Sequence, residues 1–186
     1  MQSVSAYLQE ETFYKTSTHF EQAIVASYTA TRNIALDGIF MDEMRSDNTF
    51  YTRYSGDRGP YNSTEKIALF FDDETVSWAP DRYNNVYACI ARLNTILGRL
   101  DASELTEEEK QAVRAESLFL RAYYYFDLVT HWGGVPLMLE EVVTEAEAFK
   151  AKSSVEEVYS QILADVSEAI SIGLPIASTF PQSGRA

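Results

Sequence analysis

The side chains best suited to ligand chemistry are concentrated between Arg45 and Trp78. Aromatic rings stack on the flat C–H faces of sugars, while arginine, aspartate and asparagine side chains form hydrogen bonds with hydroxyl groups. The candidate binding residues are Arg45, Asp47, Asn48, Tyr51, Arg53, Tyr54, Tyr61 and Trp78. The same aromatic residues could instead pack this stretch against itself, and composition alone leaves both interpretations open.

These candidates fall in a region without helical periodicity, from Met41 to Ser77, which contains Gly56, Gly59 and Pro60. This pattern predicts a long loop between the first two helices. Loops of such length are usually functional or disordered. The density of aromatic residues argues against disorder, so the loop is the best functional candidate in the chain.

Catalytic motifs are missing from the sequence, which has neither a GxSxG nucleophile elbow nor a GxxxxGK[ST] phosphate loop. His19 and His131 belong to different predicted helices, so no metal site is expected from them. Carboxylates are abundant enough to keep a glycosidase pair open by counting. The adjacent acids 72–74, however, resemble a solvated turn. We therefore predict a protein that is not an enzyme and that uses no cofactor.

Composition narrows the choice of partners. The chain has 186 residues, is 46% hydrophobic and carries a formal charge of −13. Such a charge argues against nucleic acid and against electrostatic attachment to an anionic membrane. The apolar runs are too short to cross a bilayer. Cys89 is the single cysteine, so an internal disulfide is excluded.

Apolar periodicity and end signals predict four helices. Their expected bounds are Thr18 to Gly38, Pro80 to Leu100, Glu107 to the glycine pair at 133–134, and Ser153 or Ser154 to Gly173. Short connections between helices favour antiparallel packing. We therefore predict an all-α fold of helical hairpins.

The third of these helices is the central one. Thr106 and Glu109 form the sequence pattern of a capping box, and Gly133, Gly134 and Pro136 end the helix. Its apolar residues fall on nearly every face, which predicts that neighbouring helices enclose it. Among those expected to be buried are Phe119, Leu120, Tyr124 and Phe126. The charged residues Glu116, Arg121 and Asp127 are expected to form ion pairs with neighbouring helices.

The central helix also carries a resemblance to a known family. Residues 114–116 (RAE), 119–129 (FLRAYYYFDLV) and 133–137 (GGVPL) closely resemble the signature helix of the SusD/RagB family. Trp78, Tyr83, Tyr87, Ile90 and Asn94 resemble the pattern that precedes that helix, and the last predicted helix is similar as well. In this resemblance Glu116, Arg121, Asp127, Gly133, Gly134 and Pro136 form a structural signature.

The resemblance implies an outer-membrane, glycan-binding lipoprotein with tetratricopeptide-like helical hairpins. Such a protein captures oligosaccharides or similar nutrients without cleaving them. It delivers them to a TonB-dependent, SusC-like transporter at the outer surface of the cell. A signal peptide and a lipidated cysteine precede the mature domain in this family. Residues 1–15 show no signal pattern, and Cys89 lies in a helical pattern, so neither is expected to supply the anchor.

The ending 183–186 resembles the entry to the family's next helix pair. Residues 1–186 are therefore expected to form an incomplete amino-terminal domain, with an apolar face left uncovered. The alternative reading is a helical-repeat adaptor that binds a protein partner. A lipidated cysteine in the full gene, or a neighbouring transporter gene, would favour capture over the adaptor.

Overall fold

The computed structural model describes residues 13–49, 51–52, 55–56, 59, 62–73, 76 and 78–173. Within these ranges the chain forms α-helices and short 3₁₀ turns, and no β-strand. The all-α prediction is confirmed. The chain divides into two compact units, one comprising Met1–Ser27 with Ile90–Ala186 and the other comprising Tyr28–Cys89.

The larger unit contains the helices that the sequence predicted best. Its elements are α1 (Ser17–Ser27), the second half of α4 (Trp78–Arg99), α5 (Glu107–Trp132), a 3₁₀ turn (Glu145–Ala148) and α6 (Val155–Ile172). Thr106 caps α5 and Ser154 caps α6, each in a reciprocal pair with a glutamate three residues later. Hydrogen bonds from the backbone and side chain of Thr106 hold the pKa of Glu109 below its usual value.

The smaller unit contains α2 (Thr29–Met41), a 3₁₀ turn (Glu43–Arg45), α3 (Asn62–Ala68) and the first half of α4. Two predictions are wrong here. The expected single helix from Thr18 to Gly38 is divided into α1 and α2, with Tyr28 between them. The expected loop from Met41 to Ser77 contains the 3₁₀ turn and α3, which is too short for periodicity to reveal.

Hydroxyl side chains mark the break between α1 and α2. Ser27 donates to the carbonyl of Ala23 at 2.9 Å. The carbonyl of Tyr28 accepts from the hydroxyl of Thr31 at 2.6 Å and from its N–H at 3.1 Å. Such side-chain bonds compete with regular helical bonds and bend or interrupt a helix.

The last three helices form two antiparallel hairpins. Between α4 and α5, Asp101 lies 3.8 Å from Arg114 near the connecting loop, and Asn94 bonds Arg121 farther from it. Between α5 and α6, the Phe126 and Tyr159 rings are 6.4 Å apart, and Arg121 bonds Asp165 farther from the connection. Partners lie farther apart in the sequence as they recede from each connection, as antiparallel packing requires. The predicted hairpins are confirmed.

The end of α1 is held by side chains from α4 and α5. Tyr124 donates its hydroxyl to the carbonyl of Ser27, and Arg92 donates to the carbonyl of Ala26 at 2.9 Å. Carbonyls in the last turn of a helix have no partner within the helix. The two donors therefore satisfy groups that α1 leaves open.

Helix α5 is not enclosed on every side. Leu120 and Tyr124 are buried as predicted, but Phe119 is 47% exposed and Phe126 is 49% exposed, so the prediction is wrong for these two. Tyr123 is also exposed, and the helical spacing places all three on one face. Neighbours on the other faces leave this stripe uncovered. The stripe is exposed apolar surface on α5.

The guanidinium group of Arg121 is hydrogen-bonded through all three of its nitrogens inside the larger unit. Nε and Nη2 each donate to a carboxylate oxygen of Asp165 at 2.8 Å. Nη1 donates to the side chain of Asn94 at 2.9 Å and to the carbonyl of Leu139 at 3.1 Å. Both ions are buried. This ion pair joins α5 to α4, to α6 and to the segment that follows α5.

That segment, residues 135–139, lacks regular secondary structure. Met138 nevertheless has both backbone groups bonded: its carbonyl accepts from Asn94 at 2.7 Å and from Tyr125 at 2.9 Å. Its N–H donates to the Tyr125 hydroxyl at 2.7 Å. Side chains thus satisfy the backbone N–H and carbonyl of Met138, as the backbone of a neighbouring strand would in a sheet.

Two glycines bring α5 and the start of α6 together. Gly133 ends α5 with a φ of 70°, a conformation that glycine adopts readily. A Cβ on Gly134 would lie 2.2 Å from the carbonyl oxygen of Ser153. The N–H of Ser153 donates to the carbonyl of Val135 at 3.0 Å. Gly134 therefore allows two backbones to approach closely.

Replacing Asp165 with asparagine removes the charge that balances buried Arg121. We expect Asp165→Asn to lower the free energy of unfolding by about 3 kcal/mol, because an unpaired buried ion is strongly destabilising. Urea denaturation followed by circular dichroism measures the change. Glu168→Gln is the control, since Glu168 is 3.9 Å from Arg114 at the surface and its loss should change stability by less than about 1 kcal/mol. Equal midpoints for the two variants would contradict the prediction.

Alanine substitutions at Gly134 and Gly98 should have opposite effects. Gly134→Ala should destabilise the chain by about 2 kcal/mol, because the new methyl group collides with backbone. Gly98 is exposed within α4, and a Cβ there would meet no atom closer than 3.9 Å. Gly98→Ala should therefore raise stability by about 0.5–1 kcal/mol through better helix propensity. Thermal melts of the two variants test both signs, and a neutral Gly134→Ala would refute the close approach.

Candidate functional site

An exposed pair of phenylalanines follows α3 in the region that the sequence singled out. The N–H of Phe70 donates to the carbonyl of Ile67 at 3.1 Å, and that of Phe71 donates to Lys66 at 2.8 Å. These two bonds form a Schellman motif, which normally places glycine at the position of Phe70. Phe70 has a φ of 58°. A left-handed backbone costs a residue with a side chain about 1–2 kcal/mol.

Arg45 is held against this turn. Its guanidinium carbon lies 4.8 Å from the centre of the Phe70 ring. Its Nη1 donates to both carboxylate oxygens of Asp72 at 3.1 Å. We call Arg45, Phe70, Phe71 and Asp72 the Phe70–Phe71 surface. Phe70 is 62% exposed and Phe71 is 73% exposed, so the surface offers aromatic rings to solvent.

Positive charges at this turn are paired with carboxylates. Arg45 bonds Asp72, and the Lys66 ammonium group donates to Asp73 at 2.9 Å. The remaining described acids just upstream include the exposed residues Glu43 and Asp47. The described part of this region therefore presents no excess of positive charge to a ligand.

The other predicted site residues are spread through the same unit. Asp47 and Asn48 are exposed after the 3₁₀ turn, and the Asn48 N–H donates to the Ser46 hydroxyl at 3.3 Å. Tyr51 is half-buried. Arg53, Tyr54 and Tyr61 lie outside the described residues. Arg45 is thus the predicted residue that the structure brings to the exposed phenylalanines.

Trp78 is more enclosed than an open sugar platform would be. It is half-buried at the start of α4, and its ring stacks on Phe40 at 4.3 Å with an interplanar angle of 15°. Its indole nitrogen is buried and, in the described structure, has no hydrogen-bond partner. One face of the ring is therefore occupied, and a binding role for Trp78 stays a prediction.

Sequence reasoning did not select Phe70, Phe71 or Asp72 as binding residues. In the sequence the two phenylalanines belong to the aromatic-rich stretch, and Asp72 belongs to a run of acids that resembles a solvated turn. A signal was present in Asn62 with Glu65 three residues later, since a polar residue followed by glutamate often starts a helix. Recognising α3 would have placed the phenylalanines at its exposed end.

The histidines have structural surroundings. His19 accepts from the backbone N–H of Lys15 at 3.5 Å and stacks on Phe13 with ring centres 4.8 Å apart. Nδ1 of His131 lies 2.7 Å from the carbonyl oxygen of Asp127. In the parts of the chain that are described, no three histidine, cysteine or acidic side chains form a group that could bind a metal. No described helix combines the length and apolar character needed to cross a bilayer.

The signature residues lie in the larger unit, away in sequence from this surface. Arg121 forms the buried ion pair, and Gly133 and Gly134 shape the end of α5. Asp127 is buried one turn before His131, while Glu116 and Pro136 are half-buried. The geometry of Arg121 and the two glycines is that of residues that hold helices together.

Comparison with known proteins connects the chain to one family. A SusD-like family model, described as "Starch-binding associating with outer membrane", matches residues 6–179. SusD-like protein P25 of Formosa agariphila is 27% identical over 189 residues, an alignment that covers 97% of this chain and 35% of the relative. SusD-like protein P38 of the same organism is 27% identical over 164 residues, covering 87% and 31%.

Solved structures share the fold. A SusD superfamily protein from Bacteroides vulgatus has a TM-score of 0.76 and 26% identity, covering 89% of this chain and 36% of that protein. A structure described as a laminarin-binding SusD-like protein has a TM-score of 0.72 and 25% identity, covering 85% and 34%. The chain spans about a third of the length of the relatives that it matches. Because the family model matches nearly the whole sequence, the chain belongs to the SusD-like family.

Proposed function

We propose that this chain is part of a protein that captures glycans at the cell surface without cleaving them. The observation that carries the proposal is the family match over residues 6–179, whose description is starch binding at the outer membrane. The similar structure described as laminarin-binding supports a glycan ligand as well. The ligand is an oligosaccharide or a similar nutrient.

Ligand contacts come from the smaller unit, between Arg45 and Trp78. Tyrosine and tryptophan rings provide stacking faces, and Arg45, Asp47 and Asn48 provide hydrogen bonds to hydroxyl groups. The exposure of Arg45, Asp47 and Asn48 supports this assignment, because an exposed polar side chain can meet a ligand without opening the fold. Arg53, Tyr54 and Tyr61 complete the predicted set.

Capture is the first step of uptake. The protein is held at the outer membrane by a lipid anchor and delivers the bound glycan to a TonB-dependent, SusC-like transporter. Binding is reversible, since stacking and hydrogen bonds leave the glycosidic bonds intact. Family membership supports this partner and this location.

The second candidate function is a protein-binding adaptor. The observation that favours it is the exposed apolar stripe of Phe119, Tyr123 and Phe126 on α5. Contiguous apolar surface often marks a protein interface. Capture and adaptor functions differ in whether purified protein binds isolated glycans.

Affinity electrophoresis in gels containing laminarin or soluble starch tests the capture function. The longest protein that contains this chain should be retarded by at least one glycan. Tyr54→Ala and Trp78→Ala should each weaken binding by about tenfold, the size expected for a lost stacking contact. Phe149→Ala is the matched control, because Phe149 is 78% exposed in the larger unit and should leave retardation unchanged.

Three outcomes separate the alternatives. Absence of retardation in every glycan, together with capture of a protein partner, would replace the proposal with the adaptor function. Unchanged binding in every variant between Arg45 and Trp78 would move the site elsewhere in the protein. Release of reducing sugar would identify a glycosidase instead.

A further inference from the structure

We propose that the Phe70–Phe71 surface is a stacking subsite for uncharged sugar rings, selective against acidic glycans. This inference rests on the proposed glycan-capture function and deepens it. Three observations on Arg45, Phe70, Phe71 and Asp72 carry it: the backbone conformation, the exposure of the rings and the pairing of the charges.

The first observation is a phenylalanine where the backbone favours glycine. Phe70 occupies the left-handed position of the Schellman motif that ends α3, with a φ of 58°. Its ring is 62% exposed, so hydrophobic burial recovers little of the conformational cost. Glycine would serve the fold better. A strained residue that the fold does not need is typical of a functional position.

The second observation is the availability of the two rings. The guanidinium carbon of Arg45 lies 4.8 Å from the centre of the Phe70 ring, so one face of that ring is already in contact with Arg45. Phe71 is 73% exposed, which leaves most of its ring open to a ligand. Phe71 is therefore the stacking face, and Phe70 forms the adjoining apolar edge.

The third observation concerns charge. The carboxylate of Asp72 already occupies Arg45, and that of Asp73 occupies Lys66. A uronate or sulfate group that bonds Arg45 or Lys66 would lie beside one of these carboxylates. Like charges at such separations repel. A neutral sugar meets no such penalty, because its hydroxyl groups can donate to Asp72 and accept from Arg45.

Calorimetric titration of the full chain tests the subsite with three probes of equal length: maltohexaose, cellohexaose and hexagalacturonic acid. At least one neutral hexasaccharide should bind, and the acidic one should bind at least about tenfold more weakly. Phe71→Ala should weaken neutral binding by about tenfold. Phe149→Ala, which removes an equally exposed ring from the larger unit, should leave the affinity unchanged.

Phe70→Gly separates binding from folding. It removes the ring but supplies the residue that the left-handed position prefers, so the melting temperature should stay equal or rise while neutral binding weakens. A lower melting temperature with unchanged affinity would show that Phe70 serves the fold and would overturn the inference.

Further outcomes are decisive. If glycans bind the wild type and all variants equally, the subsite is wrong and the capture function stands. If hexagalacturonic acid binds more tightly than both neutral hexasaccharides, the predicted selectivity against acidic glycans is wrong. If Phe71→Ala changes sedimentation but not sugar affinity, the surface contacts a second copy of the chain. If no glycan binds, both proposals fail.

Discussion

The buried ion pair between Arg121 and Asp165 is the constraint on which the larger unit depends. Two charges taken out of water are costly unless every hydrogen-bonding site is satisfied, and here the guanidinium group reaches four acceptors on three elements. Gln161 adds a donor to the same carboxylate at 2.8 Å. If one helix shifted by a single turn, the guanidinium group of Arg121 would lose its acceptors and remain buried without a partner. The pair therefore fixes how α4, α5 and α6 align along one another.

The remaining packing follows from that alignment. Ala115 and Leu118 of α5 pack with the small side chain of Ala169 from α6 in a buried cluster. Gly134 allows a close approach of two backbones beyond the end of α5. The central helix is thus tightly held on the faces that carry Arg121 and these small residues. The stripe of Phe119, Tyr123 and Phe126 on the same helix is exposed.

The sequence predicted those features that are determined by residues a few positions away in the chain. The caps at Thr106 and Ser154 and the stop at Gly133 are local patterns, and α5 and α6 have the expected bounds. The need of Arg121 for a partner followed from the cost of burying a charge, but the identity of Asp165, 44 residues away, did not. The exposure of Phe119 depends on how many helices surround α5. The apolar periodicity of α5 does not contain that number. The left-handed backbone at Phe70 contradicts residue preference, so no propensity argument could have found it.

The bonding of Met138 has a consequence for how the chain moves. Its segment has no regular secondary structure, yet its N–H donates to the hydroxyl of Tyr125, a buried residue of α5. An amide in such a position exchanges with deuterium only when the surrounding helices separate, not when the segment frays by itself. Residues 135–139 therefore open together with α4 and α5 as one cooperative element, although by backbone conformation they are a connection.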